Sequence, residues 1–174
     1  INSVFASGAG SKNGIYQPAN FRGLAVKNGM ICNWLGNSVF GVYAMGGNVH
    51  FQSLLVTSNY HGLHGGEGSV FSKCQAFGCA SGTGLQGGDG GVFSDCTSAR
   101  CGSGFLGDAG STFNNCGAYS NSWNGITTGS GSMVNNCAAR NNGRHGFAVT
   151  MEAVAVHCAA ASNGSNGFDV ASGG

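Results

Sequence analysis

The sequence predicts an all-β fold, a parallel β-solenoid with about 21 residues in each coil and about seven to eight coils. One observation is a glycine followed by an apolar residue, repeated at intervals of 21, 22, 20, 21, 21 and 21 residues. Another is a cysteine twelve residues after five of these glycines. The composition also differs from that of an average globular domain, with 34 glycines and only 7% charged residues. The repeated pairs are Gly41-Val42, Gly62-Leu63, Gly84-Leu85, Gly104-Phe105, Gly125-Ile126, Gly146-Phe147 and Gly167-Phe168.

We interpret residues 1–174 as one solenoid domain, with irregular first coils in residues 1–40 and regular repeats in residues 41–170. The chain begins at Ile1, without an initiator methionine or a signal peptide. We therefore interpret it as a processed product or as part of a longer protein.

Three short strands are predicted in each regular coil. The first strand follows the repeated glycine, and the second begins seven or eight residues later. The third strand places small residues two apart, so that they share one inward face. Glycine, asparagine and serine supply the turns between the strands. The second strand is marked by Val49, Val70, Val92, Thr112, Met133 and Val154, and the third by Cys74-Gln75-Ala76 and its counterparts in later coils.

The cysteine column is predicted to be a structural ladder. Residues at one coil position stack about 4.8 Å apart in a parallel solenoid. We interpret the cysteines first as small buried residues with free thiols. Disulfides between coils, such as Cys79–Cys101, are the alternative in an oxidising compartment, because this spacing lies within the Cα range for a disulfide. The column consists of Cys74, Cys96, Cys116, Cys137 and Cys158.

A second ladder is predicted five residues further along each coil, where later coils have asparagine in place of cysteine. This replacement removes the cysteine spacing that a metal site would need. We expect each amide to bond to the coils above and below it, at a turn where asparagine itself tolerates the left-handed backbone. The asparagine column consists of Asn121, Asn142 and Asn163.

Composition excludes several classes of protein. A hydrophobic content of 41% is too high for a disordered chain, and one proline without a G-X-Y period excludes collagen. A net charge of +1 supplies no basic patch of the size that nucleic-acid recognition needs, so no nucleic-acid partner is expected. No run approaches the ~18 apolar residues of a membrane helix, so no membrane span is expected.

The Asn28-Gly29 turn, the repeated Asn-x-x-x-Gly-apolar element and the cysteine and asparagine columns resemble right-handed parallel β-helix repeat proteins of the pectate-lyase-like superfamily. The resemblance covers about residues 20–174. It implies a right-handed coil and an extracellular or cell-surface protein that often meets polysaccharide. The superfamily includes lyases, hydrolases, epimerases and phage tailspikes. No catalytic motif of its enzymes maps onto this sequence, and His61-Gly62-Leu63-His64 is not one of their signatures, which argues against enzyme activity.

Two weak groups of candidate site residues follow from the repeat. Glu67, Asp89 and Asp108 follow their coil glycines by five, five and four residues, so we expect a carboxylate stack over three coils. Such a stack is the candidate catalytic group for cleaving a glycosidic bond. A Ca²⁺ site on the same residues is a weaker hypothesis. The stack is otherwise a set of exposed turn residues. No other cofactor is expected. The second group combines aromatic and basic residues that could bind a sugar or an acidic polymer: Tyr119, Trp123, Arg140 and Arg144.

The leading functional hypothesis is an extracellular structural β-solenoid that associates end to end with copies of itself, into filaments or a surface scaffold. Low charge gives little protection against self-association. A polysaccharide-active lyase or hydrolase of the pectate-lyase-like type is the first alternative. A carbohydrate-binding module is the second. The five histidines form no triad or metal set in this register.

Overall fold

The computed structural model describes residues 5–7, 12–79 and 81–171, and it shows a parallel β-solenoid of about seven turns. Every regular element among these residues is a strand. The described part of the chain therefore has no helix long and apolar enough to cross a membrane. Each coil runs through three straight segments, here called faces 1, 2 and 3. Corner 1 joins face 1 to face 2, corner 2 joins face 2 to face 3, and corner 3 leads to the next coil.

Face 1 is an eight-stranded parallel sheet, and faces 2 and 3 belong to a thirteen-stranded sheet that bends at corner 2. The long strands β3 (Ala25–Cys32) and β5 (His50–Thr57) cross that corner, and β1 (Phe5–Ser7) pairs with the second half of β3. Face 1 consists of β2 (Ile15–Gln17), β4 (Phe40–Ala44), β6 (His61–Gly65), β9 (Thr83–Gly87), β12 (Ser103–Gly107), β15 (Ile126–Thr128), β18 (Phe147–Val149) and β21 (Phe168–Val170). Face 2 consists of β7 (Val70–Ser72), β10 (Val92–Ser94), β13 (Thr112–Asn114), β16 (Met133–Asn135) and β19 (Val154–Val156). Face 3 consists of β8 (Gln75–Phe77), β11 (Thr97–Ala99), β14 (Gly117–Tyr119), β17 (Ala138–Arg140) and β20 (Ala159–Ala161).

The pairing register confirms the predicted parallel solenoid with coils of about 21 residues. Phe93 pairs with Phe71 in the coil before and with Phe113 in the coil after. The first described coil is longer, because Ile15 pairs with Val42.

Each corner contains a residue in the left-handed backbone region, which turns the chain sharply, and the long corner 3 before β4 contains a second one, Ser38. Corner 1 mostly uses glycine, whereas the other two corners mostly use polar residues whose side chains leave the core. The expectation that the buried asparagines adopt this conformation is wrong, because the residue just before each of them does so. Corner 1 has Gly23, Asn48, Gly68, Gly90, Gly110, Gly131 and Glu152; corner 2 has Asn28, Ser53, Lys73, Asp95, Asn115, Asn136 and His157; corner 3 has Asn33, Ser58, Gly78, Arg100, Ser120, Asn141 and Ser162.

The core consists of stacked inward columns. On face 2 the ring of Phe93 stacks on Phe71 at 4.5 Å and on Phe113 at 4.6 Å between centroids. The valines that mark the second strand precede these rings and are only half-buried at Val70 and Val92. Facing the phenylalanines is the apolar column of face 1, fully buried through six coils: Val42, Leu63, Leu85, Phe105, Ile126 and Phe147.

The sulfur atoms of the cysteine column accept hydrogen bonds from backbone N–H groups that the strand pairing leaves without a partner. After corner 2, the backbone N–H of Cys74 donates to Sγ of Cys96 (3.4 Å), and that of Cys116 donates to Sγ of Cys137 (3.3 Å). All eight cysteines are free thiols. The hydrogen bond with Cys96, and then burial, raises the pKa of Cys74. These sulfurs therefore act as buried acceptors, because a buried N–H without a partner is costly.

After corner 3 the same acceptor role passes from sulfur to amide oxygen. The N–H of Cys79 donates to Sγ of Cys101 (3.4 Å), whereas the N–H of Cys101 donates to Oδ1 of Asn121 (3.0 Å). The following asparagines continue the ladder, with Nδ2 of Asn142 donating to Oδ1 of Asn163 (3.0 Å).

Candidate functional site

Corner 1 contains the three candidate acidic residues, and the structure places two of them in one column. Glu67 and Asp89 each directly precede the left-handed glycine of their coil. Backbone hydrogen bonds between the coils align these positions. In the next coil that position is Ala109, and Asp108 lies one residue earlier in the chain. The expected stack of three carboxylates is therefore a column of two, with Asp108 displaced toward face 1.

The two stacked acids have separate partners. Oε2 of Glu67 lies 3.7 Å from Nη2 of Arg22, in an exposed ion pair of the kind that contributes little to stability. Oδ1 of Asp89 accepts the backbone N–H of Ala109 at 3.1 Å. Among the described residues, no group of three or more His, Cys, Asp and Glu is placed to hold a metal ion.

An aromatic ladder that the sequence analysis missed covers the outer side of face 1 in the first coils. The ring of Phe40 stacks on His61 at 4.2 Å, and Tyr43 lies 4.8 Å from His64. Tyr16 extends the ladder to the preceding coil, 6.0 Å from Tyr43. The signal was present in the repeat, because these side chains occupy the positions one before and two after the repeated glycine.

The two histidines of this ladder are largely neutral near pH 7. Burial lowers the pKa of His61 below its ordinary value of 6.5, and the nearby His64 lowers it further. Burial also lowers the pKa of His64, against the opposing effects of Gln86 and Asp108. Nδ1 of His61 accepts the N–H of Thr83 at 3.0 Å, so its proton is on Nε2. That tautomer makes His61 a hydrogen-bond donor and a poor metal ligand.

The aromatic and basic candidates form one edge along corner 3. Tyr119 and Arg140 are register partners on β14 and β17, as the repeat predicts. The backbone N–H of Arg144 donates to the carbonyl of Trp123 (3.1 Å), so these two residues also lie on adjacent coils. The side chain of Trp123 is 59% exposed. We call this set, with the two residues described next, the corner-3 edge.

Two further residues belong to the corner-3 edge and escaped the sequence analysis. The guanidinium carbon of Arg100 lies 5.2 Å from the ring centroid of Phe77, within the range of a cation–π contact. Phe77 is in the same column as Tyr119, two coils earlier. The ring of Tyr119 lies over Gly117, where a Cβ would come within 2.6 Å of Cε2.

The last described coil exposes residues that are buried one coil earlier. Phe168 is 42% exposed, whereas its register partner Phe147 is fully buried. Val170 is 67% exposed, against 6% for Val149. Within the described residues, β19, β20 and β21 each pair with a strand on one side only.

None of the protein-family models, curated proteins and solved structures compared with the chain matches it. No family is shown. The parallel solenoid is established by its strand pairing, and the pectate-lyase-like superfamily stays a prediction.

Proposed function

We propose that the protein is an extracellular structural β-solenoid that associates end to end with copies of itself, into filaments or a surface scaffold. The observation that carries this proposal is the last described coil, which no other described residue covers. Its inward residues Ala155, Phe168 and Val170 are exposed, although their columns are buried in the preceding coils.

The backbone of this coil supports the same function. Strands β19, β20 and β21 present N–H and C=O groups along the solenoid axis, and such edges pair readily with strands of another chain. Pairing would cover the apolar residues and bond the edges in a single contact. With six acidic and seven basic side chains in the whole sequence, charge repulsion between copies is small.

Membership of the pectate-lyase-like superfamily, with right-handed coils, is part of this proposal. It is supported by three strands per coil, short polar corners and an internal asparagine ladder. The extracellular location rests on the same resemblance.

Electron microscopy and sedimentation of the native protein at increasing concentration, without ligand, test the proposal. We expect rods whose length grows with concentration. Ala155→Arg should stop this growth, because it adds a charge at the open end and disturbs no buried contact. Gln52→Arg adds the same charge on the outer side of face 2 and should leave growth unchanged. Rods of one length at every concentration would refute end-to-end association.

A further inference from the structure

The charged residues of this chain separate by corner. Four of the six acidic residues lie at corner 1: Glu67, Asp89, Asp108 and Glu152. Three of the seven basic residues lie at corner 3: Arg100, Arg140 and Arg144. The remaining acids are at corner 2, where Asp95 accepts from Asn115, and on face 1, where Asp169 accepts from Asn166 and lies 3.8 Å from His145. Corner 1 also has a basic residue, Arg22, which is paired with Glu67. The later coils of this weakly charged molecule thus have one acidic and one basic edge.

From this arrangement we infer that two copies of the chain dock side by side, with the corner-3 edge of one copy against corner 1 of the next. This lateral contact is distinct from the end-to-end contact of the proposed function and does not depend on it. Opposite charges on matching surfaces favour encounter and fix the register of the two partners.

The axial spacing of the two edges is the same, because both repeat with the coils. Arg100 lies two coils before Arg140, and Asp108 lies two coils before Glu152. Two coils correspond to roughly 10 Å along the axis. One relative shift of two parallel copies can therefore bring several opposite charges together at once.

Shape complements charge at this contact. The corner-3 edge projects three exposed rings, Phe77 at 44%, Tyr119 at 37% and Trp123 at 59%. Aromatic residues and arginine dominate the binding energy of protein interfaces. Corner 1 offers bare backbone, since a Cβ placed on Gly90, Gly110 or Gly131 would meet nothing within 4 Å. Large side chains can therefore approach the turns of corner 1 closely.

The contact joins different surfaces of the two copies, so each docked copy leaves one edge free for another, and copies that stay parallel without rotation build an open assembly rather than a ring. Repetition places rods next to one another in a layer one solenoid thick. The side-by-side width of the assembly, rather than its length, then reports on this contact.

Complementary charge reversal tests the inference. One variant carries Arg140→Glu and Arg144→Glu, which makes both edges acidic. The second variant carries Asp108→Lys and Glu152→Lys, which places positive charge at the two corner-1 positions whose axial spacing matches that of the arginines. Lys27→Glu with Lys73→Glu is the matched control, since it changes the net charge as much as the first variant does but acts near corner 2. Thermal unfolding verifies that each variant is folded.

Small-angle X-ray scattering separates the two kinds of contact, because lateral docking increases the cross-section and end-to-end docking increases only the length. We expect the wild type and the control to widen at about 20 mM salt, and to narrow again at about 500 mM, where exposed charges are screened. Each charge-reversed variant alone should associate laterally at least about tenfold more weakly. An equimolar mixture of the two variants should regain the full cross-section.

Three results would overturn the inference: a wild type that keeps the cross-section of one rod at low salt, variants that widen like the wild type, or a mixture that stays narrow. Growth in length at about 500 mM salt reports on the end-to-end contact separately.

Discussion

Asn142 accepts two hydrogen bonds from Asn121 through one oxygen: Oδ1 receives the backbone N–H at 3.1 Å and the side-chain amide at 3.0 Å. Both residues are 1% exposed. A single side chain thus accepts the backbone N–H at the turn of the preceding coil and also continues the amide ladder.

Asn142→Ala should lower the free energy of unfolding by about 2–4 kcal/mol, because it leaves two buried donors of Asn121 without an acceptor. Urea denaturation measures the loss. Asn136→Gly is the control, since Nδ2 of Asn136 donates to Asn115 in an exposed ladder at corner 2 and glycine adopts the left-handed backbone of this position without strain. We expect less than about 1 kcal/mol there. Equal losses at the two sites would contradict the role given to burial.

Phe105→Ala should cost about 3–5 kcal/mol, since its side chain is fully buried between Leu85 and Ile126. Phe77→Ala removes the same ring from an exposed position and should cost about 1 kcal/mol or less. Chemical denaturation of both variants provides the comparison. A loss below about 1 kcal/mol at Phe105 would show that the inward register of face 1 is wrong.

The cysteines should be unreactive in the folded protein, with one exception. The other seven cysteines are buried, so a reagent in solution does not reach their sulfurs. Hydrogen bonding raises the pKa of Cys79 and lowers that of its partner Cys101, so burial rather than the thiol pKa protects the column. Cys158 in the last coil is only partly buried. Timed iodoacetamide labelling at pH 8, read by mass spectrometry, should therefore modify Cys158 first. Early modification of Cys79 would contradict a closed column.

Stability should fall as the pH drops below about 6.5, the ordinary histidine pKa. The folded-state pKa values of His61 and His64 are lowered, so the unfolded chain binds protons at a higher pH than the folded one does. Their contribution is fully present above pH 6.5 and is lost on acidification. Thermal unfolding between pH 7.5 and pH 5 measures the slope.

His64→Gln should flatten that slope, because glutamine carries no titrating group. Asp108→Asn should steepen it, since the carboxylate of Asp108 raises the pKa of His64 and so opposes its lowering. A slope that neither variant changes would assign the pH dependence to other groups.

The period and inward columns were predictable because stacked residues repeat one chemical type at one spacing. The register at the corners was harder to predict, since a shift of one residue changes the direction in which a side chain points. Asp108 illustrates this, because its coil has alanine where the two preceding coils have Glu67 and Asp89. The left-handed residue was also misassigned by one position at Asn121.

Features that depend on several columns at once were not predictable from a single column. Phe40 and His61 belong to one column and Tyr43 and His64 to another, and only the folded strand brings the four rings together. The separation of charge by corner likewise requires knowing which turn each residue occupies. Sequence reasoning found the arginines of the later coils and missed Arg100, which is itself the left-handed residue of its corner.

The register between neighbouring coils has an evolutionary consequence. Thr112, Met133 and Val154 are successive partners on face 2, and the ladders pass from each coil only to the next. Removing or duplicating one whole coil would rejoin strands, corners and amides that already fit. Such a gene can change the length of its product by unequal recombination, while every remaining contact keeps its geometry.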